Sequence, residues 1–278
     1  MCTQLNAQSP ETNSDKAKPE YTVSTAYLSN YAFNGRTDSV RMPYTVFSCA
    51  AENIHGFSIE ANAYYLLKKN KSKVDFVELN ARYDIDFKDS STLSFYASQY
   101  FNSTTRASLN NAIKTCLGAG YNYDFDFVSI SAEADVLISS KADVYANIEL
   151  YREWIVQQTQ RSKFTFEPTL DINFSTLGYY EASITKNAKK TGQVNTSINT
   201  VQNPHFQLMD VELALPLKWE RRNWGLACTT TIVAPQNKVT VLNTTDHAGV
   251  STTSNVTPYA ERNLKTKAFV QLGFFIKF

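Results

Sequence analysis

Long apolar runs are what this sequence most clearly lacks. Nothing in its 278 residues approaches the run of about 18 apolar residues that marks a membrane-spanning helix, and the mean hydropathy is −0.33. A transmembrane helix is therefore excluded. A membrane β-barrel is not excluded, because its strands place apolar residues only at every second position.

The sequence also has no surplus of charge and no paired cysteines. The formal net charge is +1 and no segment concentrates Lys and Arg, which argues against a nucleic-acid partner. Cys2, Cys49, Cys116 and Cys228 form no C-x-x-C pair, so the sequence predicts no metal site, no redox motif and no cofactor. The last three fall in different predicted strands and are interpreted as small apolar side chains.

Catalytic motifs are missing as well. No G-x-S-x-G, H-E-x-x-H or Walker sequence occurs. None of the three histidines, His55, His205 and His247, is followed two residues later by a serine, a spacing that would place a nucleophile beside its base. We therefore predict that the protein is not an enzyme.

The most regular stretch of the sequence is its last, residues 265–278. One face at period two carries Thr266, Ala268, Val270, Leu272, Phe274, Ile276 and Phe278, and the other carries Lys265, Lys267, Gln271 and Lys277. A soluble antiparallel sheet shows such alternation too, although a terminal aromatic would be unusual there. An amphipathic strand ending in Phe resembles the C-terminal signature of bacterial outer-membrane β-barrels. The resemblance implies that Phe278 is the assembly signal and that the barrel assembly machinery is a partner.

Alternation of this kind begins at Tyr21 and predicts twelve strands. Their approximate bounds are 21–33, 42–51, 57–68, 74–87, 92–102, 111–123, 127–139, 143–156, 163–179, 206–219, 223–235 and 263–278. Between 127 and 139, for example, Val128 and Ile130 alternate with Ser129 and Ser131. The polar face is wet, so the apolar face needs either a protein core or lipid.

Connection lengths favour lipid. Short turns are predicted at 52–56, 88–91, 124–126, 157–162 and 220–222, whereas the opposite end includes two long loops at 180–205 and 236–262. This asymmetry is typical of an outer-membrane barrel, and an even strand number lets the first and last strands pair and remove the sheet edges. We predict an all-β fold, a single 12-stranded antiparallel up-and-down transmembrane β-barrel over residues 21–278 in the bacterial outer membrane.

Residues 1–20 are predicted to lie outside the barrel. The opening M-C-T-Q-L-N-A-Q-S is typical of the end of a secretory signal peptide cut before Gln8, and residues 8–20 form a polar, flexible leader with two prolines. A lipidated Cys2 is the alternative, although no lipobox precedes it.

Tryptophan and lysine residues indicate the partners at the membrane surface. Trp219 and Trp224 flank one turn and Trp154 is expected at the same edge, where an indole suits the boundary between outer-membrane lipid and water. One long loop contains three lysines, Lys186, Lys189 and Lys190, which we interpret as a possible contact with lipopolysaccharide. A solvated run of charge explains those lysines more simply.

Two short segments resemble a known family. Residues 27–36 read Y-L-S-N-Y-A-F-N-G-R and contain an S-x-Y-x-F-x-G pattern at 29–35, and residues 215–219 read L-P-L-K-W. Together they resemble the TorF-like family of outer-membrane porins. Asn34 stands where an arginine is expected, so the match is partial. The resemblance implies a transport or channel role.

Charged residues on the inward faces predict the lining of a lumen. The predicted pore-lining residues are Glu78, Arg82, Lys114, Glu133, Asp135, Glu149, Glu153, Glu167, Asp171, Asp210, Glu212, Lys265 and Lys267. Eight carboxylates fall on neighbouring strands, and the basic residues are expected opposite them, which would set a field across the lumen.

These charges allow two functions. We predict a porin-like channel for the passive diffusion of small hydrophilic solutes with a weak cation preference. Alternatively the charges pair and fill a narrow ring, which leaves a plugged structural or surface-interaction barrel that acts through its long loops. A soluble β-sandwich or lipid-binding fold is the third possibility.

Overall fold

The computed structural model describes residues 19–33, 36–37, 42–67, 73–87, 90–102, 113–139, 142–176, 197–201, 205–238, 241–247, 250–256 and 264–278. Every regular element in these ranges is a β-strand. No helix found there is long and apolar enough to cross a membrane. The predictions for residues 1–18, Cys2, Lys186, Lys189 and Lys190 concern positions outside the described residues.

Nineteen strands occur in these ranges. They are β1 (Glu20–Leu28), β2 (Ala32–Phe33), β3 (Arg36–Thr37), β4 (Tyr44–Ile54), β5 (Phe57–Leu66), β6 (Lys73–Phe87), β7 (Ser91–Asn102), β8 (Thr115–Asp124), β9 (Ser129–Ile138), β10 (Ala142–Tyr151), β11 (Trp154–Gln158), β12 (Ser162–Phe166), β13 (Thr169–Ser175), β14 (Ser197–Val201), β15 (Gln207–Arg221), β16 (Trp224–Pro235), β17 (Val241–His247), β18 (Val250–Val256) and β19 (Lys267–Lys277).

Twelve of these strands close into a ring. Each pairs antiparallel with its neighbours in the order β1, β4, β5, β6, β7, β8, β9, β10, β13, β15, β16 and β19, and β19 returns to β1. At that seam Thr22 lies opposite Lys277, and Leu28 lies opposite Gln271. A closed ring leaves no row of unpaired backbone groups at an edge. The predicted fold class, a 12-stranded antiparallel β-barrel, is confirmed.

The ring strands match the twelve predicted segments, two of which are interrupted. The segment predicted at 143–156 is divided into β10 and β11, and the segment predicted at 163–179 contains β12 and β13. The second break falls at Pro168, which has no backbone N–H to donate to a ladder. There the N–H of Glu167 donates to the carbonyl of Pro216 at 3.2 Å, at the point where β15 changes partner from β13 to β12.

The first predicted strand, 21–33, is too long. The structure ends β1 at Leu28, and the chain then turns into the lumen. The backbone N–H of Met42 donates to the Asn30 side chain at 2.8 Å, and only 7% of Tyr31 is exposed. Residues 29–33 read S-N-Y-A-F, without alternation, and the strand-forming aromatic residues Tyr31 and Phe33 extended the predicted strand past the turn. The TorF-like motif at 29–35 falls partly on this inward segment.

The outside of the ring is apolar. Large hydrophobic side chains are exposed on strands all around it, including Val23, Phe47, Ile59, Leu79, Phe95, Leu117, Val136, Ile148, Leu213, Leu226 and Leu272. Exposed apolar side chains all around a barrel are unfavourable in water and favourable in lipid, so this belt faces lipid. The closed ring also pairs the backbone groups of its strands, as a bilayer requires. The protein is a transmembrane β-barrel of the bacterial outer membrane, as predicted, and not a soluble sandwich.

The two ends of the barrel differ. One end carries the start of β1, the end of β19 and the short connections, and we call it the turn end. Trp219 and Trp224 lie there on either side of the turn between β15 and β16, with ring centroids 5.0 Å apart. Trp154 begins β11 near the same end, and its ring lies 5.8 Å from that of Phe166. The opposite, loop end includes the three-stranded sheet of β14, β17 and β18.

Candidate functional site

An aromatic cluster fills part of the lumen towards the loop end. It consists of the buried side chains of Tyr31, Met42, Tyr44, Val46, Tyr64, Leu66, Phe76, Ile113, Cys116, Leu137, Tyr145 and Met209. Most of these residues lie at the loop ends of ring strands between β4 and β10. The rings of Tyr64 and Phe76 stack at 3.9 Å, and the ring of Tyr31 meets those of Tyr44, Tyr64 and Phe76 edge-on at 6.0 to 6.3 Å.

Tyrosine hydroxyls of this region hold buried carboxylates. Tyr44 donates to Asp75 at 2.8 Å, and Tyr64 donates to Glu78 at 3.2 Å. A buried carboxylate without such donors would be costly, so the hydroxyls stabilise acids inside the barrel. Glu78 faces inward as predicted and is 1% exposed. Its role as a pore-lining residue stays a prediction.

Eight of the predicted residues form one acidic wall. The wall consists of Glu133, Asp135, Glu149, Glu153, Glu167, Asp171, Asp210 and Glu212, on β9, β10, β13, β15 and the two strand breaks. Glu149 lies directly opposite Asp171 on the next strand, and Asp171 lies directly opposite Glu212. The pattern of alternation therefore placed these carboxylates on the correct face and on neighbouring strands.

Hydrogen-bond donors between these carboxylates were not predicted. The side chain of Asn147 donates to Asp171 at 3.2 Å, and that of Asn173 donates to Asp210 at 2.6 Å. The hydroxyl of Tyr96 donates to Asp135. Both asparagines share the inward parity of the acids, which is the signal by which the sequence would have revealed them.

The predicted basic residues do not form a continuous arc. Arg82 lies across the ring as expected, but its Nε is 2.7 Å from Oδ1 of Asp84, its neighbour on β6. Lys114 and Lys265 are exposed just before β8 and β19, and Lys267 is the first residue of β19. We expected basic residues opposite the acidic wall, but β5 and β6 on that side also carry inward carboxylates. The two sides of the lumen therefore do not carry simply opposite charges.

Three inward lysines were not among the predicted pore-lining residues, although Lys277 was placed on the charged face of the last strand, and all three lie towards the turn end. Lys163 Nζ is 2.9 Å from Glu153 Oε1, and Lys218 Nζ is 3.1 Å from Glu220 Oε1. Lys277 is within 3.0 Å of Glu20 and 3.3 Å of Glu220, which links the first and last ring strands. Their side chains share the inward parity of their strands. Glu153 and Glu220 are close in sequence to Lys163 and Lys218, and only the partners of Lys277 are distant in sequence.

A cavity of about 320 Å³ occupies the other part of the lumen. Five members of the acidic wall line it. Facing them is a small-residue wall on β1, β16 and β19, formed by Ser24, Ala26, Ala227, Thr229, Thr231 and Gly273. The lumen is therefore lopsided, since the aromatic cluster fills the side near β4 to β10 and the cavity follows the side near the seam.

The remaining candidate groups are dispersed. His55 lies in the turn between β4 and β5, His205 precedes β15, and His247 ends β17. Cys49, Cys116 and Cys228 lie in β4, β8 and β16, and Cys116 is buried in the aromatic cluster. Within the described ranges, no group of three or more His, Cys, Asp or Glu side chains is placed to hold a metal ion.

Among known proteins, the chain is similar to outer-membrane porins and channels of solved structure. No family model matches the chain, and no curated protein matches it, so the TorF-like resemblance is not confirmed. The chain is similar to the KdgM porin, with a TM-score of 0.49, 9% identity, and coverage of 92% of this chain and 99% of that one. It is also similar to the NanC porin, with a TM-score of 0.48, 10% identity, and coverage of 92% of this chain and 98% of that one. The COG4313 outer membrane channel from Pseudomonas putida F1 gives a TM-score of 0.38 and 10% identity, with coverage of 96% of this chain and 99% of that one.

Proposed function

We propose that the protein is a porin-like channel for the passive diffusion of small hydrophilic solutes with a weak cation preference. The observation that carries this proposal is the cavity between the acidic wall and the small-residue wall. Side chains of Ala, Ser, Thr and Gly leave room beside the seam strands, and polar groups there replace part of the hydration of a passing solute. Lumen-facing side chains set the selectivity of such barrels.

The acidic wall accounts for the cation preference. Its carboxylates lie on the same side of the route over several levels of β10, β13 and β15. Lined by one sign of charge, a narrow passage raises the local concentration of counter-ions. The lysines nearest to it, Lys163 and Lys218, are engaged with Glu153 and Glu220. Their positive charge is thus largely offset.

Conductance in planar bilayers tests the channel and its selectivity. We expect single-channel steps from the pure, folded protein, and a reversal potential in a KCl gradient with the sign of a cation-preferring pore. Exchanging Glu133, Glu149 and Glu167 together for Gln is expected to reduce that potential, because three of the eight carboxylates leave the wall. The exposed turn residue Asp126 provides the control, since Asp126→Asn leaves the lumen unchanged. A folded protein without steps would contradict the channel.

The plugged barrel is the second candidate, and the position of Tyr31 favours it. This side chain enters the lumen from the connection between β1 and β4 and packs among three other rings. If the cluster seals the lumen, the wild-type protein is silent and Tyr31→Ala conducts. If the channel is open beside the cluster, wild type conducts and Tyr31→Ala conducts more. Tyr65→Ala, on the opposite face of β5, is the matched control.

Removal of the long loops separates the two functions further. Conduction is expected to survive deletion of residues 180–205 and 236–262 if the ring itself carries the channel. In a surface-interaction barrel, partner binding is expected to disappear with the same loops. The folded state of each variant is checked by the shift in gel mobility between unheated and boiled samples.

A further inference from the structure

We propose that Glu167 and the carboxylates of the acidic wall between it and the loop end form a binding subsite for small organic cations with two or more ammonium groups. This inference rests on the proposed function only for transport, because binding to the folded barrel can be measured without conduction. It names a class of solute that the lumen holds, beyond a general preference for cations.

The backbone at Glu167 is fixed by the strand break. Its N–H donates to the carbonyl of Pro216 at 3.2 Å, and its carbonyl accepts from the Thr169 hydroxyl at 3.1 Å. The side chain has inward parity and lines the cavity, and only 5% of the residue is exposed. The break therefore holds a carboxylate at a defined position on the wall.

One oxygen of this carboxylate lacks a donor. Oε1 of Glu167 accepts no hydrogen bond from any of the described residues. A buried carboxylate oxygen in that state is costly, so the position suits an N–H donor supplied by a ligand. The two nearest lysines on this wall have other contacts: Lys163 lies 2.9 Å from Glu153, and Lys218 lies 3.1 Å from Glu220.

A second anchor lies further along the same strand face. Asp171 follows Glu167 by four residues, which is about 13 Å at a rise of about 3.3 Å per residue. Glu149 and Glu212 flank Asp171 on the two neighbouring strands and also line the cavity. A flexible chain with an ammonium group at each end can thus meet a carboxylate at two levels.

The chemistry of both walls fits such a solute. A primary ammonium group has three N–H donors and no acceptor, which suits carboxylates spread along a wall. Across the cavity, the methyl groups of Ala26 and Ala227 lie beside Gly273 and offer apolar contact to methylene groups. The acidic wall therefore matches the ammonium groups of the solute, and the small-residue wall matches its methylene chain.

Calorimetry on the folded full-length protein in detergent tests the subsite, with octane-1,8-diamine as the probe, because its extended chain can reach both levels of the wall. We expect this diamine to bind, and Glu167→Gln to weaken the binding about tenfold through loss of a charge-assisted hydrogen bond. Asp126→Asn is expected to bind as wild type does. Equal affinities of wild type and Glu167→Gln, or no binding at all, would overturn the proposal.

A chemical control needs no variant and therefore does not depend on whether Glu167→Gln folds. The bis-quaternary form of octane-1,8-diamine, with a trimethylammonium group at each end, keeps both charges but has no N–H to donate. We expect it to bind wild type more weakly than the parent diamine does, and equal binding would reduce the subsite to general electrostatic attraction and contradict it. Conductance without diamine binding refutes this inference alone, whereas binding without conductance refutes the proposed channel and leaves the subsite intact.

Discussion

Replacing Thr229 with tryptophan is expected to remove most of the single-channel conductance. Thr229 lies on β16 with its side chain towards the cavity, in the middle of the small-residue wall. An indole at this position projects into a space of about 320 Å³ that already borders the acidic wall. Current through planar bilayers, measured at equal amounts of folded protein, shows the effect.

The adjacent residue supplies a matched control. Thr230 has the opposite parity on β16 and lies beside Val270 of β19 on the outside of the ring. Thr230→Trp therefore adds the same indole on the lipid side, and its conductance is expected to equal that of wild type. If Thr229→Trp conducts as well as Thr230→Trp, solutes do not pass along the small-residue wall.

A single methyl group at Gly225 is expected to destabilise the barrel by about 3 kcal/mol, at the upper end of the range for overpacking. Gly225 lies opposite Phe275 of β19, whose ring covers its Cα. A Cβ there would come within 2.6 Å of the backbone oxygen of Trp219 and would also overlap the Phe275 ring. Because a ladder oxygen cannot move without breaking the pairing of β15 and β16, the strain stays in the sheet.

Gly273→Ala is the control for that prediction. This glycine also faces the lumen on a seam strand, but a Cβ there would lie 3.7 Å from the Cβ of Ala227, an ordinary contact. We expect its stability to be within about 0.5 kcal/mol of wild type. The urea midpoint, read from the heat-modifiable gel shift in lipid vesicles, measures both variants. Equal midpoints for Gly225→Ala and Gly273→Ala would contradict the steric account.

The ring was predictable because each strand faces two different solvents. Lipid outside and polar contacts inside impose a period of two, so alternation from Tyr21 onwards located all twelve ring segments. The same parity located the acidic wall, since residues such as Glu149 and Asp171 share an inward face on adjacent strands. The turns were predictable from the short polar connections between those segments.

Features that break the period were not predictable. After Leu28 the chain leaves the ring, but Tyr31 and Phe33 are residue types typical of strands, so the predicted strand ran on to residue 33. A register shift beside Tyr64 places both Asp75 and Phe76 in the interior, where parity alone puts only one of them. Likewise, the ion pair of Glu20 with Lys277 depends on closure of the ring and not on local sequence.

The aromatic cluster changes how strongly charges in the lumen interact. Packed rings of Tyr44, Tyr64 and Phe76 have a low dielectric constant and admit no mobile salt. A solute beside the seam strands would have water on one side and a medium of low dielectric constant on the other, where attraction to a carboxylate is less attenuated. Added electrolyte screens such an interaction less than it screens charges in open water. Discrimination between ions should consequently persist at salt concentrations that abolish it in a wider, fully hydrated barrel.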